Sequence, residues 1–376
     1  MPSPRGIFRI KQVYDEQLSV NWSVKSDVWL APSPYLLSPP DTGYFGGGGP
    51  GAFSTVDRID YSNDTATLSI KGSLSAGRRY LAATGNGSYG YFGGGGPGPV
   101  STVDRIDYSN DTGTASPKGP LSSPRSYLAA TGNLNYGWFG GGFPANSRVD
   151  RIDYSNDTAN ASPKGPLSVA RHFLAATGNS SYGWFGGGGT PGVGSYSIVD
   201  RIDYSNDTAA ASPKGPLSSP RRSSAATGNS SYGYFGGSNP SISSVDRIDY
   251  TNDTATASPK GPLSSPRYGL AATGNQSYGY FGGGLPGPLS SVNRIDYAND
   301  TATASPKGPL SAVRRYLAAT GNSSFGYFGG GDPGPFSTAY RIDYSNDTAT
   351  ASPKGPLSSS RSNLAATSGT ANGLPQ

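Results

Sequence analysis

The 376-residue chain carries 56 glycines, 32 prolines, one histidine, no cysteine and a formal net charge of +5. Gly and Pro approach the low-complexity range, yet 25 tyrosines and 13 phenylalanines are too many for a disordered chain and point to an ordered, turn-rich β protein. The lack of cysteine excludes disulfides and thiolate metal sites, the basic residues form no stripe of the kind nucleic acid requires, and no run approaches the ~18 apolar residues of a membrane-spanning helix.

Residues 1–42 are unlike the rest of the chain. The opening MPSPRGIFRIKQVYDE lacks the apolar core of a secretory signal, so synthesis in the cytoplasm of the producing cell is expected. This leader is studded with Ile7, Phe8, Ile10, Tyr14, Leu18, Trp22 and Trp29. Ile7, Ile10, Tyr14 and Leu18 share a helical face, while FRIKQVY partly alternates like a strand; both readings stay open. With many apolar anchors and no repeat of its own, the leader is expected to dock the rest of the chain onto a larger assembly.

From residue 43 the chain repeats. GYFGGG or a close variant begins at Gly43, Gly90, Gly137, Gly183, Gly233, Gly279 and Gly326, at intervals of 46 to 50 residues, within the period of propeller blades. One unit contains four strand-length pieces bounded by Gly, Asn, Asp or Pro: Arg78 to Asn86 (A), a YGYFGGG stretch ending at Gly95 (B), Ser101 to Tyr108 (C) and Thr112 to Gly119 (D). Four antiparallel strands per repeat make a blade. The small residues of A, such as Ala129 and Ala130, suit the innermost position, and the aromatic pairs of B suit the space between blades. Val103 and Ile106 of C fall on opposite faces, so both faces are expected to be covered. D carries proline in six copies, Pro117 and Pro163 among them, which confines it to the outer edge. The expected fold is therefore an all-β, seven-bladed propeller over residues 43–368, with a tail at 369–376. The last repeat stops after an A strand and the first lacks one, so Leu364 to Thr367 should complete the blade opened by Tyr44 and Phe45.

Arg125, Ala129, Ala130, Phe139, Gly140, Gly141 and the run VDRIDY at 149–154 follow one another as the corresponding residues of a kelch repeat do. Residues 43–367 thus resemble the kelch family in seven consecutive copies, with one departure: kelch repeats usually carry a Trp in D, where this chain reads TATASPKG and its variants. The combination of short leader and glycine-rich repeats is also similar to kelch-like virion proteins of marine cyanophages. That resemblance implies a virion location, a tail or tail-fibre role, other virion proteins as partners through the leader, contact with a host-surface glycan or protein, and a place for homo-oligomers within the assembly.

Catalytic chemistry finds little to use. Copper oxidases of kelch fold need His, Tyr and Cys ligands, whereas His172 is the one histidine and reads as a packing residue. No nucleophile elbow accompanies it. The DRIDYSNDT run is rich enough in oxygens to be considered for Ca²⁺. The structural reading is preferred: Arg58 pairing with Asp60 on one strand face, and Asn63 and Asp64 capping their own turn. Its recurrence in every copy points the same way. The Asn-Asp-Thr triplet matches a glycosylation sequon but is accounted for as turn chemistry, and the GGGGPGP stretches lack the Lys-Ser/Thr of a phosphate loop. The expectation is a non-enzyme with no cofactor and no metal.

The copies differ unevenly. The C–D turn barely changes, while the B–C loop and the D–A segment vary. Alternating strand direction brings B–C and D–A to one face of the disc. That face is expected to bind a partner, with Phe143, Tyr196, Leu285 and Phe336 of the B–C loops and His172, Arg222, Tyr268 and Arg315 of the D–A segments as candidate contacts, aromatics and arginines being the usual interface anchors. Free drift of exposed loops is the competing explanation. Three non-enzymatic roles fit: a virion component, a soluble carbohydrate-binding propeller, and an intracellular adaptor of the kelch type.

Overall fold

The four-piece repeat folds as its turn residues dictate. In blade 2 the strands are A, Ala82–Gly85; B, Tyr89–Gly93; C, Val103–Asp107; and D, Ser116–Lys118, paired antiparallel in the order A–B–C–D. The computed structural model describes residues 41–368 apart from 288, 334 and 335. The apolar leader residues Ile7 to Trp29, the helix-or-strand question they pose and the 369–376 tail lie outside the described residues. Blades 1 to 7 are centred on the B strands Thr42–Gly46, Tyr89–Gly93, Tyr136–Gly140, Tyr182–Thr190, Tyr232–Gly236, Tyr278–Gly282 and Phe325–Gly329. Each belongs to its own antiparallel sheet, and blade 4 adds a short strand, Gly194–Ser195, against B. Blade 1 takes its A strand, Ala365–Ser368, from the C-terminal end, where it pairs with Thr42–Gly46. The ring closes as the repeat phase requires.

Most A strands begin later than the sequence pattern predicts, at the first alanine, because the residue two before it adopts a positive φ and leaves the ladder. The seven A strands are innermost, and Ala and Thr side chains of six of them line a cavity of about 170 Å³ at one end of the channel. Proline occupies the outer D strand in blades 2 to 7; in blade 1, Ile70 takes its place and is 64% exposed.

Neighbouring blades interlock through B and C. Tyr44, Val56, Phe92 and Ile106 share one buried cluster, and Tyr91, Val103, Phe139 and Ile152 the next, so Val103 and Ile106 do face opposite neighbours. A Cβ on Gly46 would stand 2.6 Å from the Phe92 ring, which is why glycine follows each aromatic pair. Each fully buried aromatic contributes roughly 2–3 kcal/mol by removal from water.

The polar part of the interface is equally regular. Asp111, in the C–D turn of blade 2, accepts hydrogen bonds from three groups of blade 1: Tyr44 Oη at 2.8 Å, Arg58 Nη1 at 3.0 Å and Lys71 Nζ at 3.2 Å. Burial, then the Asp111 carboxylate, pushes the Tyr44 phenol above its usual range, so it stays a donor. The same lock recurs at Asp157, Asp207, Asp253, Asp300 and Asp347, and at Asp64, which receives Tyr327, Arg341 and Lys354 and joins blade 7 to blade 1. In blades 3 and 4 the donor on B is an indole, Trp138 or Trp184, at 2.9 Å. Beside each lock, the tyrosine ending strand C stacks on the preceding blade's B aromatic with centroids 3.8 to 4.8 Å apart. Its hydroxyl meets an A-strand threonine of another blade at 3.0 to 3.4 Å.

This corrects two expectations. Arg58 pairs with Asp111 of the next blade, not with Asp60, whose Oδ1 instead accepts from Ser62 N and Oγ. Asp64 does not cap its own turn; its carboxylate belongs to the lock with blade 7. The acidic run is therefore a blade-to-blade fastening.

Replacing Asp207 with Asn should strand Arg151 and Lys164 and cost about 3 kcal/mol. Asp157→Asn should cost the same to within about 1 kcal/mol, since its surroundings repeat. Urea unfolding of the two variants checks this; a cost near zero at either position contradicts the lock.

Candidate ligand-binding face

The D–A segment of every blade carries an arginine that disappears into the disc: Arg78, Arg125, Arg171, Arg221, Arg267, Arg314 and Arg361 are at most 1% exposed. Arg78 reaches Thr102 O at 2.7 Å, Phe92 O at 3.3 Å and Asp104 Oδ2 at 2.5 Å, tying the B–C loop of its blade to strand C. Arg125, Arg171, Arg221 and Arg361 pair likewise with Asp150, Asp200, Asp246 and Asp57. Desolvation lowers each of these guanidinium pKa values and the facing carboxylate opposes the shift. The loop is also held from the next blade, where Gly95 N donates to Arg125 O at 2.9 Å. Gly94 lies at φ +67°, with its missing Cβ facing Arg125 O at 2.5 Å, so only glycine fits the bend.

Blades 6 and 7 break the pattern. The carboxylate position holds Asn293 opposite Arg267 and Tyr340 opposite Arg314. Arg267 makes do with Ser265 Oγ at 2.9 Å and carbonyls at 3.2 Å; desolvation pushes its pKa down to about 10. Arg314 bonds Gly330 O and Thr338 O and lies 4.5 Å from the ring centroids of both Phe336 and Tyr340.

Two residues after each arginine the chain enters the left-handed region: Tyr80, Tyr127, Phe173, Ser223, Gly269, Tyr316 and Asn363 have φ between 53° and 64°. Six of the seven are not glycine, and such a conformation costs about 1–2 kcal/mol per L-residue. A closed circle of hydrogen bonds offsets it. Tyr127 N donates to Tyr80 O at 2.9 Å, Phe173 N to Tyr127 O at 3.0 Å, and so on round the channel until Tyr80 N donates to Asn363 O at 3.0 Å. The side chains of this circle line a cup of about 430 Å³ at the channel mouth, with Leu81, Leu128, Leu174, Leu270, Leu317 and Leu364 below and Ser224 where blade 5 lacks the leucine. Tyr80 stacks on Tyr127 at 4.1 Å and Tyr127 meets Phe173 at 4.2 Å. Arg79 stands 5.1 Å from the Tyr80 centroid, and Arg315 lies 3.6 Å from Asp332 at the rim.

The residues singled out from sequence surround this cup rather than form it. Phe143 is exposed, while Tyr196, Phe336, Arg222, Tyr268 and Arg315 are half-buried. Two do not qualify as exposed contacts. Leu285 is 6% exposed, its backbone exchanging hydrogen bonds with Tyr268. His172 is 7% exposed, edge-on to Phe143 at 5.6 Å and against Phe173 at 4.9 Å, and burial followed by the nearby Arg222 lowers its pKa. The B–C and D–A segments do meet on one face, bridged in register at pairs such as Ser126 with Phe143 and Arg315 with Asp332. The residues of the circle that line the cup stand one position beyond His172, Arg222, Tyr268 and Arg315. Their signal was an aromatic at that place in four of the seven repeats.

These features define a seven-bladed β-propeller with one structurally committed face and one variable face that carries a cup. No protein-family model matches the chain, and no curated protein is similar to it in sequence. Among solved structures, that of YjhT is similar, with a TM-score of 0.55 and 13% identity over 68% of this chain and 90% of that one. A likeness at that identity supports the propeller fold and nothing finer.

Asn293→Asp should supply Arg267 with the counterion it lacks and raise stability by about 1–3 kcal/mol. Because the folded-state pKa of Arg267 lies below its unfolded value, its charge opposes folding at neutral pH, and the penalty fades as pH rises through about 10. The gain from Asn293→Asp should therefore be largest near neutrality and shrink above pH 10. Thermal melts at both pH values check it; a loss of stability at pH 7 contradicts the reading.

Proposed function

We propose that this chain is a non-catalytic, kelch-like propeller that presents its variable face to a partner, and that it does so as a structural component of a phage particle, in the tail or tail fibre. The observation that carries the binding part is the asymmetry between the two faces. The C–D turns are used up in seven equivalent locks, whereas the B–C loops differ in length and residue, and the D–A segments in residue, from blade to blade. Their anchors, the buried arginines, tolerate that variation because they grip main-chain carbonyls. The virion assignment rests on the resemblance to kelch-like virion proteins, and the leader is assigned the attachment role. A catalytic role has little support: His172 is packed among rings, and the turn aspartates are engaged by Arg, Lys and Tyr or Trp.

Mass spectrometry of purified cyanophage particles should find the peptide between Arg151 and Lys164 at stoichiometric levels. Its confinement to the soluble lysate would remove the virion role and favour a free carbohydrate-binding propeller. Exchanging the B–C loops of blades 3 and 5 should leave the melting temperature within a few degrees and change partner or host-cell binding at least about tenfold; unchanged binding would mean that this face is not the binding face.

A further inference from the structure

The charges of this chain are sorted by face. Residues 41–368 hold 25 basic and 21 acidic side chains. Around its C–D turn each repeat carries one arginine of strand C, one lysine of strand D and two aspartates, as with Arg105, Lys118, Asp107 and Asp111. These charges cancel repeat by repeat, and the locks hold the arginines and lysines within 3.4 Å of a carboxylate oxygen. Asp41, which accepts a hydrogen bond from Asn322 Nδ2 at 2.6 Å, adds one negative charge on that side.

Toward the other face the balance breaks. The seven buried arginine anchors meet five aspartates, so Arg267 and Arg314 carry charge that no carboxylate offsets. Above them stand Arg79, Arg148, Arg222 and Arg315, exposed or half-buried. Asp332 is the single carboxylate among the described residues there, and it lies 3.6 Å from Arg315. The variable face thus holds a surplus of five positive charges, and the constant face an excess of one negative. Arg79 and Arg148 reach neutral oxygens, Pro50 O at 3.3 Å and Ser122 Oγ at 3.4 Å. With Arg222 they have no carboxylate partner among the described residues.

A surface of one sign over a low-dielectric interior concentrates counter-ions of the other sign and steers charged partners toward itself. The exposed arginines come from blades 2, 3, 5 and 7, spread round the disc rather than gathered into the dense stripe that nucleic acid requires. That spread suits a flexible polymer with acidic groups at intervals, and a guanidinium takes a carboxylate or sulfate through two parallel hydrogen bonds. We propose that the variable face binds an acidic polysaccharide, one carrying carboxylate or sulfate groups, with Arg79, Arg148 and Arg222 as the contacts and the uncompensated Arg267 and Arg314 adding attraction from beneath. The proposal rests on the variable face being the binding face and names its ligand class. The same sorting orients the disc, since near a negatively charged surface the variable face turns toward it.

Biolayer interferometry on the full chain tests it, with sensors coated in alginate, dextran sulfate, neutral dextran and a DNA duplex. Alginate or dextran sulfate should bind and neutral dextran should not, and the affinity should fall at least about tenfold between about 20 and about 200 mM NaCl. The paired change Arg79→Gln with Arg222→Gln should weaken binding about fivefold. Other blades fill these positions with Ser126 and Ser362, so the variant should fold. Leu134→Glu with Gln276→Glu, in exposed A–B turns of the constant face, lowers the net charge by the same amount and should change the affinity less than about twofold. Failure of both acidic polymers to bind, binding indifferent to salt, equal weakening by the two paired changes, or tighter binding to DNA than to either polymer would each overturn the proposal. Should it fall while exchange of the B–C loops still alters partner binding, the face reading stands and its ligand class alone is wrong.

Discussion

One carboxylate per blade organises this protein. The aspartate of each C–D turn reaches across to the preceding blade and collects a phenol or indole, a guanidinium and an ammonium from three different strands of it. Three donors on two oxygens hold strands B, C and D of one blade in register against the turn of the next. The backbone follows: Gly165 N donates to Asp207 O at 2.8 Å, and a Cβ on Gly165 would sit 1.5 Å from Ala209 O. Blade spacing is therefore set by contacts that tolerate no side chain at the glycine and no shorter or longer reach at the aspartate. That geometric demand explains why the C–D turn hardly varies, without appeal to a ligand.

The other face inherits freedom from the same arrangement. Its loops are held from below by buried arginines whose bonds go largely to carbonyl oxygens, groups every residue possesses. Loop identity can change while the anchor stays. The circle of left-handed residues at the channel mouth works alike: hydrogen bonds join backbone to backbone, so the positions accept Tyr, Phe, Ser, Gly or Asn and the side chain becomes the variable. Rigid main chain with exchangeable side chains suits the cup and the loops around it to the binding role proposed for this face. Blades 6 and 7, where Asn293 and Tyr340 leave an arginine without a carboxylate, show that the scaffold tolerates the loss of individual buried pairs.

Much of the fold was legible because it is periodic. The recurrence of GYFGGG, the prolines of strand D and the phase offset between the first and last repeats led directly to blade number, strand order and closure by residues 364–367, one residue short of the observed strand Ala365–Ser368. The interactions between blades were not legible, and the reason lies in the repetition itself. Arg58 has an aspartate two residues away on its own strand and an equivalent turn aspartate in each repeat; nothing in a periodic sequence says which one it meets, and the structure puts it on Asp111. The cup, one residue further along the chain than the D–A candidates, was not legible for a related reason. His172, Arg222, Tyr268 and Arg315 stood out as variable and functional in type, but the left-handed turn directs the next residue, not these, toward the channel. His172 and Leu285 look exposed in a loop, but Leu285 bridges to Tyr268 and His172 is packed against the Phe143 and Phe173 rings.

If the locks make seven blades into one cooperative ring, no part of it should open before the rest, including the seam inside blade 1, where strand A (Ala365–Ser368) and strand B (Thr42–Gly46) come from opposite ends of the chain and meet through the ladder. Native-state hydrogen exchange at Gly72, Gly119, Gly165, Gly215, Gly261, Gly308 and Gly355, whose N–H groups all donate to a neighbouring blade's aspartate carbonyl at 2.7 to 3.1 Å, measures this directly. The account predicts that all seven amides exchange only through global unfolding, with opening free energies equal to within about 1 kcal/mol. A markedly lower value at Gly355, or a gradient falling toward that seam, would contradict it and make the structure a chain of blades rather than a closed ring.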